Sequence, residues 1–96
     1  MEGQKVCLVS KMMSDAEFDV LDELYFVQPY HYLTEELGMS DVQLKPVLSS
    51  LLKKGYIKCL HNMNDEVFED QLNFEADFKQ YFYLATKTGL LAHNGR

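Results

Sequence analysis

The sequence predicts one small α+β domain in which three helices are followed by two β-strands. Three observations predict it. Two S-x-x-E/Q helix starts lie in the first half, at Ser14 and Ser40. The hydrophobic period changes from helical to strand-like after Gly55. Two aromatic, β-favouring runs then follow, around Tyr56 and around Tyr81. At 96 residues the chain fits a single domain spanning 1–96, long enough to bury a core and too short for two.

The first helix begins at Ser14, where Ser14 and Glu17 make a capping box. Phe18, Leu21, Leu24 and Tyr25 recur at helical spacing behind it. Asp15, Glu17, Asp19, Asp22 and Glu23 fall elsewhere, which predicts an acidic outer face on a helix ending near Phe26. Pro29 suits the first turn of a second helix, because its missing N–H needs no partner there. That helix carries Leu33, Thr34 and Leu37 and stops at Gly38.

Ser40 and Gln43 form a second capping box at the start of a third helix. Val42, Val47, Leu48 and Leu51, with Leu44 beside them, supply its apolar face. It ends at Lys53-Lys54-Gly55, where cations meet the negative helix end. Tyr56, Ile57, Cys59 and Leu60 form one strand and Tyr81 to Leu84 a second. The stretch between them, roughly Asn64 to Asp77, reads as a polar, acidic loop. Its apolar members Val67, Phe68, Leu72, Phe74 and Phe78 call for burial against the domain or across a dimer. Thr86 to Asn94 is expected to add a final helical turn.

Composition narrows the function classes. Apolar residues make up 47% and charged residues 25%, the balance of an ordinary globular protein. No apolar run approaches the roughly 18 residues of a membrane span, and no signal-peptide core is present, so no membrane partner is expected. Cys7 and Cys59 are too few for a disulfide framework, which points to a reducing cytoplasm.

The net charge of −6 has a particular origin. Between Asn64 and Phe78 stand six acids (Asp65, Glu66, Glu69, Asp70, Glu75, Asp77) and no base; the rest balances nine acids against nine bases. Gln43 to Lys58, by contrast, holds Lys45, Lys53, Lys54 and Lys58 and no acid.

The run YHYLTEELGMSDVQLKPVLSSLLKKGYI, Tyr30 to Ile57, resembles the helix-turn-helix of bacterial winged-helix transcriptional regulators. Thr34 holds the small-residue position before the turn, Gly38 is the turn glycine, Met39 the apolar residue after it, and Ser40 opens the second helix. LLKKGYIK looks like the ending that leads into the first wing strand. YFYLATKTG, Tyr81 to Gly89, is similar to the second wing strand and the "LT-x-x-G" behind it. The resemblance implies a helix-turn-helix over about 29–54 and a wing over about 56–85.

It also implies a DNA-binding regulator that places helix 40–54 in the major groove. The groove-facing positions are then Ser40, Asp41, Gln43, Lys45, Pro46, Ser49 and Ser50. Of these, Ser40, Gln43, Lys45 and Ser49 are the expected DNA contacts: Gln43 fits an adenine edge, Lys45 a guanine or a phosphate, and the serines phosphates. Double-stranded DNA is the partner so implied, with a homodimer joined through the wing strands or terminal segments.

A second reading rests on departures from the pattern. Asp41 would repel phosphate, Pro46 interrupts the helix from within, and the acidic wing has no Arg or Lys for a minor groove. These fit a winged-helix protein-interaction module that does not bind DNA and offers its acidic wing to a basic protein. Neither reading calls for a cofactor. Cys59-Leu60-His61 with His31 or His93 matches no common zinc spacing. No phosphate loop or nucleophile elbow appears, so no enzyme is expected.

Overall fold

The computed structural model describes residues 13–95. Among these residues it shows a mixed α+β arrangement of five α-helices, one 3-10 turn and a four-stranded antiparallel sheet. The expected three helices and two strands are therefore an undercount. Both added strands have two residues, and one added helix has four, too short for a periodic signal.

Helix α1 spans Asp15–Glu23, with both halves of the Ser14/Glu17 capping box formed. It stops short of Phe26. The Leu24 carbonyl accepts from the Ala85 N–H at 2.9 Å, which turns the chain out of the helix and toward the sheet. Strand β1 is Gln28–Pro29. Pro29 thus precedes the second helix in extended backbone (φ −75°, ψ 160°) rather than occupying its first turn. A two-residue strand at a sheet edge tolerates the missing N–H.

Helix α2, Tyr30–Leu37, ends at Gly38 with φ +64° and ψ 29°, the left-handed conformation that favours glycine. Helix α3 spans Asp41–Lys53 behind the complete Ser40/Gln43 capping box and contains Pro46. Its buried face is Leu44, Leu48 and Leu51, spaced i, i+4, i+7. Val42, expected on that face, is instead 84% exposed. Val47 and Leu52 pack at the margin of the core.

Strand β2, Ile57–Asn62, turns at Met63-Asn64 into β3, Asp65–Glu66, with a register shift between Leu60 and Asn62. The segment that read as a loop is then largely structured. It contains β3, a 3-10 turn at Glu69–Gln71 and helix α4, Phe74–Asp77. Val67 is buried, and Leu72, Phe74 and Phe78 pack against the core. Strand β4, Phe82–Ala85, follows, and helix α5, Lys87–Asn94, is longer than a single turn.

The strand order is β1-β4-β2-β3. Gln28 pairs with Tyr83, and Ile57 to Leu60 pair with Ala85 to Phe82. Val20, Leu21, Leu24, Leu33, Leu44, Leu48, Leu51, Cys59 and Tyr83 form the fully buried centre. Tyr83 donates to the Phe78 carbonyl at 2.6 Å, and the buried Tyr81 accepts from the Asn73 N–H at 3.0 Å. The aromatic strand is thus covered from within the chain and fastens the α4 segment to the sheet.

Thr86 caps α5 by accepting from the Gly89 N–H, and its own hydroxyl donates to the Gly55 carbonyl at 2.6 Å. A Cβ at Gly89 would run into the Tyr56 backbone carbonyl. The glycine of the T-x-x-G motif is there because α5 starts directly against that peptide. Among the described residues, no helix is long and apolar enough to cross a membrane.

Candidate functional site

Helix α3 projects three kinds of residue. Leu44, Leu48 and Leu51 enter the core, while Val42, Pro46 and Lys53 are exposed on the opposite stripe with the half-buried Ser49. Asp41 and Lys45 lie along the flank that meets the α4 segment.

Three of the four candidate contacts taken from the sequence are already engaged there. Ser40 and Gln43 serve each other: the Gln43 N–H donates to Ser40 Oγ at 3.3 Å, and the Ser40 N–H donates to Gln43 Oε1 at 3.0 Å. Lys45 Nζ lies 2.7 Å from Glu75 Oε1 and 4.9 Å from the centre of the Phe78 ring. Ser49 is half-buried near the middle of the helix.

Asp41 and Ser50 are engaged as well, while Pro46 is exposed. Asp41 pairs with Lys79 at 2.7 Å and accepts from the Tyr30 hydroxyl at 2.7 Å. The Lys79 ammonium, with the Tyr30 hydroxyl, holds the Asp41 carboxyl below its usual range. Ser50 donates to Glu17 at 2.6 Å. Of the four lysines in the basic zone, Lys45, Lys54 and Lys58 face the carboxylates of Glu75, Glu17 and Glu66; Lys53 is exposed.

Glu17 departs furthest from expectation. Placed by its spacing on the acidic outer face, it is only 5% exposed. Ser14 N–H donates to it at 2.8 Å, Ser50 Oγ at 2.6 Å, and Lys54 Nζ at 2.9 and 3.0 Å. Burial pushes its pKa up, but the bonds from Ser50, Ser14 and Lys54, with the lysine charge, outweigh burial and leave it lowered. This network ties α1 to α3 at the base of the candidate face. Nothing local announces it, since Ser50 and Lys54 lie 33 and 37 residues away from Glu17.

At the far side of the domain, His93 of α5 stacks on Phe18 at 4.1 Å, and its Nδ1 lies 2.8 Å from the Tyr25 hydroxyl. That hydroxyl donates to Asn94 Oδ1 at 3.0 Å. Nε2 is buried and without a hydrogen-bond partner, 3.5 Å from Asp22. Cys59 is buried, and burial pushes its thiol up to about 12. His61 is exposed, and among the described residues no group of three or more His, Cys, Asp or Glu side chains could hold a metal.

Compared with protein families, curated proteins and solved structures, the chain matches none. The geometry of α3 and of the acidic segment beside it therefore carries the functional argument.

Proposed function

We propose that this chain is a protein-interaction module on a winged helix-turn-helix scaffold, with α2 and α3 as the helix pair and β2 and β4 as the wing strands. In this reading α3 meets protein and not DNA. The observation that carries it is the ion pair between Lys45 and Glu75 at 2.7 Å. A groove-reading helix needs its cations free for phosphate, since phosphate neutralisation supplies the sequence-independent affinity. Here the cation nearest the middle of α3 is neutralised from within, and Glu75, with its side chain 78% exposed, presents negative charge where a phosphate would approach.

Two further features support the reading. Gln43, the residue best suited to an adenine edge, has its amide oxygen committed to the Ser40 N–H. Four lysines, three of them facing carboxylates, also fall short of the ~6–10 phosphate contacts of strong binders.

The test is fluorescence anisotropy of labelled random duplex DNA titrated with the full chain at about 50 mM and about 200 mM salt. The expected result is no binding at either. Binding that collapses at the higher salt and is lost in Lys45→Glu would overturn the proposal. It would restore a DNA-binding regulator with Ser40, Gln43, Lys45 and Ser49 as its contacts.

A further inference from the structure

The face that α3 turns to solvent has an unusual chemistry. Val42 is 84% exposed and Pro46, one turn on, is exposed beside it, with Met39 half-buried at their edge. Four residues separate Val42 from Pro46, so the Val42 carbonyl is the acceptor that the residue-46 N–H would normally serve. Proline has no N–H to give. The helix therefore exposes an apolar stripe with a backbone acceptor at its centre that lacks its helical donor.

The surroundings of the stripe are acidic. Glu35 and Glu36 are exposed in the last turn of α2, across the Gly38 turn, while Asp41 and Glu75 line the other flank. Against these four carboxylates stand Lys45 and Lys79, both already in ion pairs, and Lys53, exposed two turns beyond Pro46. An acidic rim around an apolar centre attracts a cationic partner and repels another acidic surface.

Resting on the interaction-module reading, we infer that the Val42–Pro46 stripe of α3 docks a basic, amphipathic protein segment. An apolar side chain of that segment covers Val42, and a Lys or Arg donates to the Val42 carbonyl. A second copy of this chain fits poorly, because each copy carries a net charge of −6 and would bring the same acidic rim.

The experiment uses the full chain, isotopically labelled for amide NMR, and a synthetic helical peptide of Leu and Lys with its leucines on one face. A Leu/Glu peptide of the same pattern is the control. The expected result is saturable shifts at Met39, Gln43 and Ser49 with the Leu/Lys peptide and none with Leu/Glu. Val42→Lys should weaken binding at least tenfold and leave the rest of the spectrum in place. Phe26→Ser, which removes an apolar side chain 76% exposed elsewhere, should leave affinity unchanged. Pro46→Ala, which returns an N–H to the Val42 carbonyl, should raise the melting temperature and lower affinity severalfold.

Shifts that map to Phe26 and Leu91, or binding indifferent to Val42→Lys, would overturn the inference. So would the same shifts on simply concentrating the protein, since the occupant would then be a second copy. If neither peptide moves any resonance, this inference fails while the interaction-module reading stands. If duplex DNA in the same titration shifts the α3 amides, that reading fails with it.

Discussion

Replacing Glu17 by Gln keeps the size and shape of a buried side chain and removes only its charge. In the native protein the carboxylate receives hydrogen bonds from the Ser14 N–H, the Ser50 hydroxyl and the Lys54 ammonium. The amide oxygen of Gln can take over one of these, but its NH2 group must then face a donor. Hydrogen bonds to a charged group contribute about 1.5–3 kcal/mol each. Lys54, whose side chain is 29% exposed, recovers part of its loss by turning to water. The net destabilisation is about 2–3 kcal/mol, dominated by Ser50 and the cap; in a domain of this size that lowers the melting temperature by about 10–20 °C.

The assay is urea denaturation of the wild type, Glu17→Gln, Lys54→Met and the double variant. The cycle should show a coupling of about 1–2 kcal/mol between Glu17 and Lys54. The pH dependence has a fixed sign. Glu17 has a lowered pKa in the folded state, so its contribution is present above the unfolded carboxylate value and is lost as pH falls through the folded one. The gap between wild type and Glu17→Gln should therefore narrow in acid. A loss under about 0.5 kcal/mol at neutral pH, the scale of an ordinary surface substitution, would refute the network's role.

Two further outcomes follow from the packing. Gly89→Ala should lower stability by at least about 2 kcal/mol, read by thermal denaturation, because the new methyl group meets the Tyr56 carbonyl and α5 must shift; an unchanged melting point would contradict that close approach. In a Cys7→Ser background the thiol of Cys59, buried and pushed up to about 12, should resist a thiol reagent in the native state and react fully in denaturant. Rapid native labelling would place it nearer the surface than the structure does.

The parts of the fold that were legible in the chain are those written within a few residues. Both capping boxes, the Gly38 stop and the aromatic β-runs needed only local spacing, and each formed. The frame of α3 was harder. Val42, Val47, Leu48 and Leu51 satisfy a helical period almost as well as Leu44, Leu48 and Leu51 do, and the side that meets the rest of the core decides between them. Glu17 was misplaced because an acid in a first turn beside a capping serine is normally solvated. Its burial depends on Ser50 and Lys54 arriving from another helix.

The candidate site was read only in part for the same reason. Lys45 stands out as a cation on a helix, but its neutralisation by Glu75 crosses 30 residues of chain and involves a four-residue helix that no period reveals.

The strand order has a consequence for how the protein is made. Among the described strands Phe82–Ala85 is the last to leave the ribosome, yet it lies between Gln28–Pro29 and Ile57–Asn62, which pair with it and not with each other. A growing chain can wind its first three helices and close the hairpin at Met63-Asn64 as these segments emerge. The sheet as a whole must wait until residue 85 is free of the exit tunnel. Throughout that interval the inner edge of β2 and the apolar face of α3 lack their final cover, so the closing of the sheet is timed by the four residues of β4.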